Sequence, residues 1–97
     1  MRDKTIYSEK YLEHELRKRI EKAGGLCIKL LPFLFTGLPD RLCLMPGGRV
    51  FFAEIKTTGK ELKPRQVVVR DLLLRMGFRY YLVDGMIDIN EIELAEL

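Results

Sequence analysis

The chain has 97 residues, 47% of them hydrophobic, which is enough for one compact domain over 1–97 and too little for two ordinary ones. Its apolar runs stop well short of the roughly 18 residues of a membrane span, and the opening MRDKTIYSEK lacks the apolar core of a signal peptide, so a soluble, cytoplasmic protein is expected. The net charge of +3 hides an asymmetry: residues 1–83 carry 17 bases and 9 acids, a net of +8, while residues 84–97 carry 5 acids and no base. A basic body suits a phosphate-rich partner, although a solvated surface is equally basic.

Ser8 is placed to cap a helix over 8–23, whose apolar positions Leu12, Leu16, Ile20 and Ala23 recur at helical spacing before Gly24-Gly25 ends it. LCIKLL (26–31) reads as a short strand, and PFLFTGLP as a loop that exposes Phe33, Leu34 and Phe35 unless something covers them. DRLCLMPGGRVFFAEIK (40–56) predicts an antiparallel hairpin about Pro46-Gly47-Gly48. After the polar loop TTGKELK, Pro64 suits a first helical turn. Val67, Val68, Leu72, Leu73 and Met76 extend that second helix up to Gly77. RYYLVD (79–84) predicts another strand, and DINEIELAEL (88–97) a short closing helix. Cys27 and Cys43 sit singly in apolar runs without a CxxC partner and read as buried thiols. The order implies an α/β fold with helices packed on a small mixed sheet.

Chemistry concentrates at the hairpin. Glu54 and Lys56 are two residues apart on one strand and must project to the same face, whereas Asp40 begins the other strand. A charged end of an edge strand reaching solvent would explain this pair; so would a divalent cation with a phosphate ligand. Register separates the two readings. A two-residue Gly47-Gly48 loop places Asp40 opposite Ile55 and on the face away from Glu54, whereas a three-residue Gly47-Gly48-Arg49 connection places it opposite Lys56 and on Glu54's face. The metal reading requires the second geometry, a bulge, or an Asp40 just off the ladder.

Pro39-Asp40 followed after a hairpin by Glu54-Ile55-Lys56 resembles the PD-(D/E)xK nuclease signature. GLPDRLCLMPGGRVFFAEIKTTGKELKPRQ is similar in particular to its VRR-NUC branch, through GxPD, PGG, ExK and KPRQ in that order after a helix bearing Glu13. The resemblance covers nearly the whole chain and implies a restriction-endonuclease-like core of the stand-alone bacteriophage type, which would work in the cytoplasm of a bacterial host. It implies that Asp40, Glu54 and the carbonyl of Ile55 bind metal, with Glu13 as the acid from the first helix and Glu9 or Glu15 as alternatives. It implies further that Lys56 positions water or stabilises charge at phosphorus, and that Gln66 orients the site.

The donor types agree with that chemistry on their own terms. Hard cations take oxygen ligands, so Mg²⁺ is expected and Mn²⁺ should substitute; phosphodiester hydrolysis needs the activated water and charge stabilisation that such ions supply. Lys60, Lys63 and Arg65 follow the motif as candidate DNA contacts. The resemblance implies DNA as the partner, branched as in a four-way junction and cut by a homodimer, and paired incisions do need two sites about a two-fold axis. A nuclease for nicked, flap or linear DNA that relies on a targeting partner, and a non-catalytic DNA-binding module, are the other readings. Clustered acids facing phosphate count against the last.

Overall fold

The computed structural model describes residues 5–31 and 33–92. Helix α1 spans Glu9–Lys22, and the Ser8 hydroxyl accepts the Tyr11 N–H at 3.2 Å, satisfying one of the donors that a helix start leaves free. Strands β1 (Leu26–Lys29), β2 (Arg41–Met45) and β3 (Arg49–Ile55) follow, then α2 (Pro64–Arg75), β4 (Arg79–Val83) and α3 (Met86–Asn90). The sheet runs β1-β2-β3-β4, with the first two pairings antiparallel and β3-β4 parallel. A parallel step cannot be made by a tight turn, and α2 supplies the crossover. β1 is two residues shorter than its apolar run. The closing helix starts at Met86 rather than Asp88, and residues 93–97 of that expected helix lie outside the described ones.

Residues of odd number on β3 and those of even number face opposite ways. Phe51, Ala53 and Ile55 join Leu12, Leu16 and Ile20 of α1, together with Cys43, Met45, Val83, Ile89 and Ile92, in the main core. Cys27 and Cys43 are a directly opposed cross-strand pair within it, both free thiols, with 3.9 Å between their sulfurs. Phe52 and Glu54 face the other way, toward α2, where Phe52 meets Phe78 edge to face at 5.4 Å and Val69 and Leu73 are buried. The charged pair of the hairpin therefore lies on the α2 side of the sheet.

The hairpin connection differs from both geometries considered above. Met45 pairs with Arg49, so the three connecting residues are Pro46-Gly47-Gly48, with both glycines at positive φ. Arg49 belongs to the strand, and its Nε and Nη2 donate back to the Pro46 carbonyl at 3.2 and 3.1 Å. Continuing that register places Asp40 opposite Glu54 itself rather than Lys56. The odd-numbered connection keeps Asp40 and Glu54 on one face, as the metal reading requires.

Candidate active site

Asp40 stands just beyond the start of β2, where two neighbours hold it. Its carbonyl accepts from Leu30 N–H at 2.8 Å, and its Oδ2 accepts from Ile55 N–H at 2.8 Å. In the hairpin register the residue opposite Ile55 is Pro39, which has no N–H to return to the Ile55 carbonyl. Proline before the aspartate thus ends the ladder, lets the carboxylate replace a ladder bond, and leaves a strand carbonyl without its usual donor.

Glu54 is 2% exposed. Its Oε2 accepts from Gln66 Nε2 at 2.9 Å and lies 3.6 Å from Lys56 Nζ, so both donors converge on a single oxygen. Oε1 is buried with no hydrogen-bond partner. A buried carboxylate oxygen left bare is costly unless something cationic meets it. Burial, and then the nearby Asp40 charge, push the Glu54 carboxyl from 4.5 up to about 7, against the opposing pull of the Lys56 ammonium. Gln66 is fixed from both ends: it is the third residue of α2, and its Oε1 accepts the Lys63 N–H at 2.8 Å. The helix start that caps itself with Gln66 also aims the amide at Glu54.

Asp40, Glu54, Lys56 and Gln66 are therefore brought together, with the Ile55 backbone between them. Glu13 is not brought to them. It belongs to α1, on the opposite side of the sheet, and its Oε1 lies 3.2 Å from Nη2 of Arg41, a residue only 8% exposed whose guanidinium also donates to the Cys27 carbonyl at 3.1 Å. Odd-numbered Arg41 points into the α1 side and needs a counter-charge there, which is why Glu13 turns to it. Of the alternatives, Glu15 pairs with Lys18 at 3.1 Å, and Glu9 is exposed in the first turn of α1. Among the described residues no group of three or more His, Cys, Asp or Glu lies close enough to hold a metal. Any cation here would rest on two carboxylates and backbone oxygen.

A cleft of about 440 Å³ opens beside the site, lined by Asp40 and Gln66 and by Lys63, Arg65 and Lys29. Lys60 lies elsewhere, in a groove with Arg70 and Asp84. The chain is 30% identical over 80 residues to "Putative nuclease p44" of Acyrthosiphon pisum secondary endosymbiont phage 1, an alignment that spans 82% of this chain and 86% of that protein. Its fold matches a solved "VRR_NUC domain" with a TM-score of 0.81 at 23% identity, over 89% of this chain and 95% of that one. The chain belongs to the family of that phage protein and has the fold of the VRR_NUC domain. No family model matches the sequence, so membership rests on the phage relative, with the shared fold in agreement.

Two neighbours of this site escape a reading by motif. Lys29 ends β1, remote in sequence from the hairpin residues it joins, and only sheet pairing brings it to the cleft. Tyr80 pairs with Phe52 across β3-β4, so it shares the Glu54 face; burial, and next the Glu54 charge, raise its phenol well above the ordinary value. Strand alternation marks one of Tyr80 and Tyr81 as facing each way, but the parallel register is needed to say which.

Proposed function

We propose that residues 1–97 form a metal-dependent DNA endonuclease that hydrolyses phosphodiester bonds at Asp40, Glu54 and Lys56. The observation that carries this reading is the bare, buried Oε1 of Glu54 on the same face as Asp40, with two donors already committed to the other oxygen. Those oxygens, with the Ile55 carbonyl, fit a hard cation, Mg²⁺ by preference with Mn²⁺ able to replace it. When bound, such an ion supplies an acidified water and neutralises charge on the phosphate. Lys56, 13% exposed at its side chain, holds its ammonium beside the reacting phosphate, where little water screens it. Gln66 keeps Glu54 in one rotamer and so fixes which oxygen remains free. Lys63 and Arg65 on the cleft draw in the DNA backbone without reading sequence.

The substrate we assign is branched DNA, a four-way junction, cut by a homodimer in the cytoplasm of the bacterial host. Two apolar surfaces support self-association. Leu26 and Ile28 of β1 are exposed on the α2 side of the sheet beside their register partners Leu44 and Leu42, and Val68, Leu72 and Met76 are exposed on α2. Among the described residues no helix is long and apolar enough to cross a membrane. The test compares a labelled junction with its linear duplex, in Mg²⁺ or EDTA, for wild type and Lys56→Ala. Metal-dependent cutting of the junction, lost in the variant, is expected. Binding without cutting in either Mg²⁺ or Mn²⁺ refutes the enzyme, and preferential cutting of a flap or nicked control refutes the junction.

A further inference from the structure

Three successive apolar side chains stand in solvent on the loop whose next residues, Thr36, Gly37 and Leu38, line the cleft: Phe33 is 79% exposed, Leu34 60% and Phe35 50%. Such a run is normally buried or used. Residues 33–38 of this segment are held in turns. Leu34 N–H donates to the Leu31 carbonyl at 3.1 Å and Leu38 N–H to the Phe35 carbonyl at 3.2 Å, and the base is closed by the Leu30 to Asp40 bond. It is also fastened to α2. Arg65 Nε donates to the Thr36 carbonyl at 3.1 Å, and its guanidinium covers the Phe35 ring at 5.5 Å. Gly37, at φ 92°, lies so tightly there that a Cβ would come within 2.6 Å of the Arg65 carbonyl oxygen. Arg65 adjoins Gln66, which holds Glu54, so the aromatic loop and the acids are positioned by the same first turn of α2.

We propose that this loop recognises base faces left unstacked beside the scissile phosphate, at the exchange point of a junction or next to an unpaired segment, with Phe33 and Phe35 as stacking platforms, so that the enzyme selects DNA whose duplex is interrupted. The inference rests on the nuclease reading of the adjoining cleft. The cleft wall is formed by Thr36, Gly37 and Leu38, and Lys29, Lys63 and Arg65 surround it. An occupant must therefore combine negative charge with flat apolar faces, as a single strand does. Paired, stacked bases offer no free face, so an intact duplex gains nothing from the rings. A second copy of this chain docking loop to loop would set the same cations against each other.

The test is made in the Asp40→Asn background so that the DNA stays whole, with 2-aminopurine placed in an unpaired segment next to a duplex and, separately, within an uninterrupted duplex. Quenching by the parent protein is expected only for the unpaired probe. Phe33→Leu and Phe35→Leu keep an apolar side chain but lose the ring; each should weaken binding of the unpaired DNA by roughly five- to 150-fold, with a smaller effect on duplex. Phe33→Tyr and Phe35→Tyr should restore both quenching and affinity. Equal losses on the two DNAs, or leucine serving as well as tyrosine, would overturn the proposal. So would a shift from dimer to monomer in sedimentation with quenching intact, which would make the loop a contact between copies. Absent quenching alongside cleavage that still requires Asp40 rejects the loop's role alone; cleavage indifferent to Asp40 rejects the site and the loop together.

Discussion

Replacing Glu54 by glutamine tests how the site is built before any DNA is added. The wild-type carboxyl is buried, faces Asp40 and titrates near 7 rather than 4.5. A raised folded-state pKa means that the protonated form suits the fold: its contribution is fully present below the unfolded value and is lost as pH rises through about 7. At about 1.4 kcal/mol for each pKa unit, the ionised group costs the metal-free fold about 3 kcal/mol relative to the neutral one. Glutamine is neutral at every pH. It can accept from Gln66 and Lys56 through its oxygen while its NH₂ takes the place of Oε1, the oxygen with no partner. In EDTA, urea unfolding at about pH 5 and about pH 8.5 should show wild type losing roughly 2–3 kcal/mol relative to Glu54→Gln over that interval. The difference between the two proteins cancels the titrations they share. A difference that stays flat would show Glu54 ionised throughout, and the dry, charge-crowded site described above would be wrong.

Three further outcomes are expected. Lys56→Ala should lower the cleavage rate by roughly 10²- to 10³-fold with much less effect on DNA affinity, a split read by single-turnover kinetics beside a binding titration. Glu13→Gln should destabilise the fold by about 1–3 kcal/mol, because it removes the counter-charge of buried Arg41 while leaving the Cys27 carbonyl bond; its loss of cleavage should fall far short of that in Asp40→Asn, and equal losses would return Glu13 to the site. Gly37→Ala should lower stability by about 1–3 kcal/mol, measured by denaturant midpoint, since alanine is strained at φ 92° and would collide with Arg65 and Val69.

Much of the fold was legible because its signals are local. Ser8 before an apolar helical stripe, two glycines in a strand-turn-strand run and Pro64 before a second stripe each act within a few residues, and the elements follow them. The pairing of Glu54 with Lys56 on one face was equally local, since side-chain alternation along a strand has a period of two. Where Asp40 falls across from them was not. That depends on which residues leave the ladder, and here Pro46, Gly47 and Gly48 do, with both glycines at positive φ and Arg49 paired to Met45.

Residue types and spacing in the sequence therefore determined the elements, the hairpin and the shared face of Glu54 and Lys56, because each is dictated by backbone geometry over a turn or a strand. The tertiary structure alone decided that Gln66 grips one oxygen of Glu54 and leaves the other bare, that Lys29 reaches the cleft, and that Glu13 serves Arg41 on the far side of the sheet. Those outcomes turn on how buried charges find partners across long stretches of chain, and a buried guanidinium or carboxylate takes whichever counter-charge packing brings within reach.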